Sequence, residues 1–210
     1  MARPRVAGRG AIFFARGPSE SPEGMGRHVL EGAMASHRYA ALLRGVSPMN
    51  AKMSELKAAF EAAGFADVKT VLSSGNVLFS APAQSSAKLV QRAEAAMKAH
   101  LGKAFATFVE PVEALRALIE ADPWNAWKVP RAGKRVVTFL REEQGPAVGL
   151  PLSRDGVSIY ARQGRRVFTA YVANERGPVF MAMLQKTFGD DITTRTWDTV
   201  RKLAGDPRAL

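Results

Sequence analysis

Between residues 38 and 109, short apolar runs and segments of helical periodicity follow one another in the order strand, helix, strand, strand, helix, strand. Few chain paths satisfy that order with short connections. The first run, Tyr39-Ala40-Ala41-Leu42-Leu43, is apolar at every position, as in a strand covered on both faces, and it ends at Arg44-Gly45. Met53, Leu56, Phe60 and Ala63 then recur at helical spacing, with Asn50 placed to cap the element and Gly64 to stop it. Residues 68–72 and 77–79 read as strands joined by the turn-forming set Ser73-Ser74-Gly75-Asn76, hence a hairpin. Ser85 or Ser86 can cap a second helix with Leu89, Val90, Ala93, Met97 and Leu101 on its apolar face, and Gly102 follows it. Residues 105–109 supply the fourth strand. The order is β-α-β-β-α-β, the ferredoxin-like arrangement.

The remainder predicts a second α+β subdomain packed on the first. Pro111 suits the first position of a helix through Leu115, Leu118 and Ile119. Strands are expected over 135–141, 157–161 and 166–172, with turns at Asp155-Gly156 and Gln163-Gly164, then helices over Val179–Phe188 and 196–204. The expected organisation is therefore a ferredoxin-like subdomain over 38–128 and a C-terminal α+β subdomain over 129–210. Residues 1–37 differ: they are rich in Arg, Gly and Pro, with little to bury beyond the run 11–15. They are expected to be a disordered extension, or a misassigned start, because Met34-Ala35-Ser36-His37 itself reads like a natural beginning.

With no cysteine, the chain has no disulfide framework, thiolate metal site or cysteine nucleophile. No stretch approaches the roughly 20 apolar residues of a membrane span, and a cytoplasmic location is the expectation. The formal charge is +11, and residues 129–210 hold 14 basic residues against 8 acidic ones. Such an excess favours nucleic acid, acidic proteins or phosphorylated metabolites, or serves solubility alone.

Three segments together resemble the domain of unknown function 1697 family. They are Tyr39-Ala40-Ala41-Leu42-Leu43-Arg44-Gly45-Val46, Leu72-Ser73-Ser74-Gly75-Asn76-Val77-Leu78-Phe79, and Thr193-Thr194-Arg195-Thr196-Trp197-Asp198-Thr199-Val200-Arg201-Lys202-Leu203. Lys52-Met53-Ser54-Glu55-Leu56 is similar to the family's first helix. The resemblance implies a two-part α+β fold with a ferredoxin-like first half, and it implies no activity. Two departures stand out: Ser47-Pro48-Met49-Asn50 replaces the family's Asn and paired Gly after the first strand, and Thr196 replaces Asn before the tryptophan.

No catalytic signature is present. His28, His37 and His100 lack metal-ligand spacing, and neither a nucleophile elbow nor a phosphate-cradling P-loop occurs. No cofactor, metal or catalytic residue is assigned. Topology offers a better candidate, because strands one and three of this arrangement are adjacent and antiparallel. Arg44 and Gly45 then lie beside the turn Ser74-Gly75-Asn76, at the edge where the first helix begins near Asn50 and Lys52. A guanidinium, turn amides and helix N-terminal amides make an anion site, to which Arg195 contributes if the second subdomain folds over this edge. The competing reading is structural: Gly75 for a positive φ, Arg44 in an ion pair, Thr194 or Thr196 as a helix cap, Trp197 in the core.

RNA recognition of the RRM type needs exposed aromatics on the central strands, and here Tyr39 shares a face with Ala41 and Leu43. Nonspecific nucleic-acid contact is left to two basic runs, Lys128, Arg131, Lys134 and Arg135, and Arg162, Arg165 and Arg166, which equally suit a solvated surface. Three classes follow in order: a module for a small anionic ligand at the Arg44 edge; a partner for nucleic acid or acidic protein through the basic C-terminal half; and a metal-independent enzyme on a phosphorylated or carboxylated substrate, with Lys52 the nearest proton-transfer group. Nothing in the sequence sets an oligomeric state.

Overall fold

The computed structural model describes residues 35–143, 148–172 and 179–209. The expected N-terminal extension lies almost wholly outside them, but Ser36 and His37 do not: they open strand β1 (Ser36–Leu43) and pair with Pro82 and Ala81. Helix α1 (Met53–Ala62), strands β2 (Ala66–Thr70) and β3 (Asn76–Pro82), helix α2 (Ser86–Leu101) and strand β4 (Thr107–Pro111) follow in the expected order. The first sheet runs β2-β3-β1-β4, antiparallel throughout. Ser85 caps α2 by accepting from the Lys88 amide, and Gly102 ends it with φ +70°. Pro111 stands just before helix α3 (Val112–Ala121), at its N-cap rather than its first turn.

β1 explains its own composition. Tyr39, Ala41 and Leu43 point to one face, where they join Leu56 and Phe60 of α1 and Leu89, Ala93 and Met97 of α2. Tyr39 stacks on Phe79 there, with ring centroids 5.6 Å apart. Ala40 and Leu42 point to the other face and are fully buried. That face is the one an RRM-type protein leaves open for RNA. Here it is closed by a core that includes Leu115, Val137, Phe139, Phe168, Trp197 and Val200.

The second sheet has five strands in the order β6-β7-β8-β5-β9. Three were expected and are seen as β5 (Lys134–Leu140), β7 (Val157–Gln163) and β8 (Arg166–Tyr171). Two were not: β6 (Leu152–Arg154) and β9 (Ile192–Thr196). Helix α4 (Val179–Phe188) seats Leu184 on the outer face of this sheet, over Leu140, Ile159, Val167 and Ile192. Helix α5 (Trp197–Ala204) begins directly after β9, capped by the Thr196 hydroxyl.

Polar bonds tie the two sheets as well as apolar contact. Glu110 on β4 is 4% exposed and accepts from Arg165 at 3.1 Å and from Arg166 on β8. Breaking a buried pair from one side leaves uncompensated charge, at a cost of about 3–5 kcal/mol when both partners are buried. The two arginines retain some exposure and can partly rehydrate. Glu110→Ala is therefore expected to lose about 2–3 kcal/mol, measured by urea unfolding.

Candidate functional site

The expected edge exists. Leu42 lies opposite Asn76, and the Leu43 amide donates to the Gly75 carbonyl at 2.7 Å. Asn50, however, does not cap α1. Its side-chain amide donates to the Gly45 carbonyl at 2.7 Å and its Oδ1 accepts from the Ser47 amide at 2.9 Å, so it braces the β1–α1 loop. Lys52 occupies the N-cap position without a side-chain capping bond, stands 78% exposed and pairs with Glu55 at 3.5 Å. Arg44 is half-buried, and its side chain makes no hydrogen bond or ion pair among the described residues.

Arg195 reaches this edge from β9, in the register where it pairs with Val137. The residue is 8% exposed, and its guanidinium is surrounded by oxygen acceptors. Nη2 faces the carbonyls of Leu43 (2.8 Å), Gly75 (3.1 Å) and Ser74 (3.3 Å). Nη1 donates to the Thr194 carbonyl (2.8 Å) and the Thr193 hydroxyl (3.0 Å), and Nε donates to Asn76 Oδ1. Six acceptors exceed the five N–H groups, so at least one proton is shared. Burial pushes the guanidinium down to about 10, leaving it charged at neutral pH.

Asn76 is wholly buried and completes the knot, its amide donating to the Val71 carbonyl (3.0 Å) and the Ser74 hydroxyl (3.1 Å). Gly75 has φ +73°, and a Cβ there would lie 2.6 Å from Val46 Cβ. Ser74, Gly75, Asn76 and Arg195 are thus brought together, and their polar groups satisfy one another. All three segments that carry the resemblance converge on this one guanidinium. The large apolar side chains that stand exposed among the described residues, Met49 (94%) and Leu72 (48%), lie in the two loops of the same edge.

The basic runs divide sharply. Arg165 and Arg166 are engaged by Glu110, and Arg162 donates to the carbonyls of Gly164 and Glu143. Arg131, Lys134 and Arg135 make no side-chain hydrogen bond or ion pair among the described residues, and all three are exposed. They line a cleft of about 950 Å³ between the lead-in to β5, the end of α3 and the start of α5. The pairing of Val136 with Thr196 sets the start of β5 beside the start of α5. Arg135 is further held over the Trp124 ring, 5.8 Å from its centroid.

The cleft carries charge of both signs. Glu120 and Asp122 stand on the α3 wall and Asp198 at the start of α5, whereas the cations without an ion pair among the described residues come from the β5 side. Arg201 and Arg208 also line it but are occupied by Asp206, at 2.8 and 3.0 Å. Hydrogen bonds from Arg208 and then Arg201 hold the Asp206 carboxyl well below the usual carboxylate range. Trp197, 8% exposed, forms part of the lining while packing in the shared core. Among the described residues no group of His, Asp and Glu is arranged to hold a metal ion, and no helix is long and apolar enough to cross a membrane.

The profile of a family described as protein of unknown function (DUF1697) matches residues 36–168. The solved structure of the conserved bacterial protein SP0830 from Streptococcus pneumoniae is similar, with a TM-score of 0.61 at 23% sequence identity. The alignment covers 81% of this chain and 98% of that one, and at this identity the likeness speaks for the fold alone. No curated protein matches the chain.

Proposed function

This chain belongs to DUF1697, a protein family of unknown function, and for it we propose the binding of a small anionic ligand in the cleft between β5, α3 and α5. One observation carries the reading: Arg131, Lys134 and Arg135 line a common space, and no carboxylate among the described residues is bonded to any of them. Unpaired cations around a concave surface raise the local concentration of anions and supply charge-assisted donors to phosphate or carboxylate oxygens.

The Arg44 edge is a second location, favoured by a half-buried guanidinium that has no partner among the described residues. Its intended helpers are committed elsewhere, to Arg195, to the loop or to Glu55, and the exposed Met49 and Leu72 beside it suit a hydrated anion poorly.

Pyrophosphate is the simplest probe. At about 100 times its Kd it should add about 2.7 kcal/mol to stability, which for a chain of this size is roughly 5–10 °C. The double variant Arg131→Ala/Lys134→Ala should abolish that rise while melting like the wild type in buffer, because both side chains are exposed and make no hydrogen bond or ion pair among the described residues. Arg44→Ala should keep it. A rise lost in Arg44→Ala and kept in the double variant would move the site to the edge.

A further inference from the structure

The partly exposed Trp127–Tyr160 pair lies one buried ring, Trp124, away from Arg135 and Trp197 of the cleft, and we infer that the ligand is a nucleotide unit, with phosphate on the β5 cations and its base on that pair. The inference rests on the anion reading above and adds the flat ring to it. Trp127 and Tyr160 are stacked, with centroids 5.3 Å apart and planes 17° from parallel; both pack against the shared core, Trp127 with its ring 5.6 Å from Phe168, and both remain partly exposed. Trp127 opens the segment that carries Arg131, Lys134 and Arg135. Trp124 joins the two regions: its ring lies 5.8 Å from Trp127, 5.8 Å from Trp197 on the cleft wall, and under Arg135.

The chemistry of the walls fits the parts of such a ligand. Exposed, unpaired cations suit a phosphate, and aromatic faces suit any base, since every base has a π-face. Glu120 on the opposite wall is an exposed carboxylate, an acceptor for sugar hydroxyls. This surface belongs to the second half of the chain, which explains how a protein whose first sheet is closed to RNA still offers rings beside cations. The same chemistry arises from a free nucleotide or from one unit of a single strand.

Calorimetric titration of the full chain with AMP, UMP and ribose 5-phosphate tests the ring directly, because the phosphate is common to all three. AMP and UMP are expected to bind about tenfold more tightly than ribose 5-phosphate, within the range of one base–aromatic stack. Tyr160→Leu and, separately, Trp127→Leu should bring AMP to the level of ribose 5-phosphate and leave ribose 5-phosphate itself unchanged. Equal affinity for all three ligands in the wild type would overturn the inference and spare the anion reading, as would variants that weaken every ligand alike. Failure of pyrophosphate and of all three to bind would overturn both. A thymidine octamer distinguishes the sources: tighter binding than the monomer with a steep salt dependence marks a single strand, and no gain over the monomer marks a free nucleotide.

Discussion

Arg195→Met is expected to lower the melting temperature by at least roughly 8 °C. The sign is not obvious, because replacing a buried charge by an apolar side chain is often harmless when its partners are replaced too. Here they cannot be. Four of the six acceptors are main-chain carbonyls, of Leu43, Ser74, Gly75 and Thr194, and no substitution removes them. The Gly75 carbonyl keeps the Leu43 amide as a donor, and each of the other buried acceptors left without one costs about 1–3 kcal/mol. Even with partial rehydration and imperfect additivity the total should exceed about 4 kcal/mol, the range of exceptional single substitutions. For a domain of this size 1 kcal/mol is about 2–4 °C. Arg195→Lys sharpens the test: it keeps the charge but cannot present the planar fork that spans Asn76 on one side and Thr194 on the other. A lysine variant melting with the wild type would mean that charge, and not the fork, holds the edge.

The second large effect is expected at Gly75, and it comes with its own control. Gly75 and Gly45 share φ +73°, but a Cβ at Gly45 meets nothing within 4 Å, whereas at Gly75 it meets Val46 Cβ at 2.6 Å and Leu43 Cβ at 3.0 Å. Gly45→Ala should therefore cost only the left-handed conformation, about 1–2 kcal/mol. Gly75→Ala adds overpacking against atoms fixed to the backbone, a further 1–3 kcal/mol or about that. Urea unfolding of the two variants should separate them by roughly 2 kcal/mol. Equal losses would show that the β1–α1 loop can move away from the turn, and that the edge is looser than its hydrogen bonds suggest.

How much of this was legible in the sequence follows from where each signal resides. The first sheet was readable because its signals are local: an all-apolar run in β1, helical spacing from Met53, turn chemistry at 73–76. Topology alone then placed Arg44 beside Ser74-Gly75-Asn76. What those residues do there was not readable, because the answer depends on β9. Ile192-Thr193-Thr194-Arg195-Thr196 is short, polar on its face toward the solvent and followed at once by a helix, so its threonines look like caps. Its four β-branched residues were the available signal. Once β9 pairs with β5, Arg195 is delivered to the edge, where its donors are spent on the carbonyls of Leu43, Ser74 and Gly75 instead of on an anion. β6 is three residues long, too short for any alternation to register.

The cleft shows the converse. Lys128, Arg131, Lys134 and Arg135 were visible as a basic run, and so were Arg162, Arg165 and Arg166. Nothing in the order of residues says that Glu110, far upstream, engages two of the second group. Nor does it say that α3 and α5 build a concave wall opposite the first. Paired and unpaired charges look alike until the partners are placed.

The division of labour between a saturated edge and an open cleft is tested most directly by amide hydrogen exchange on the full chain, with and without pyrophosphate. The account predicts slower exchange at residues 131–135 and 196–201, with residues 44–52 and 72–76 unchanged. Protection confined to 44–52 and 72–76, or none anywhere, would contradict it.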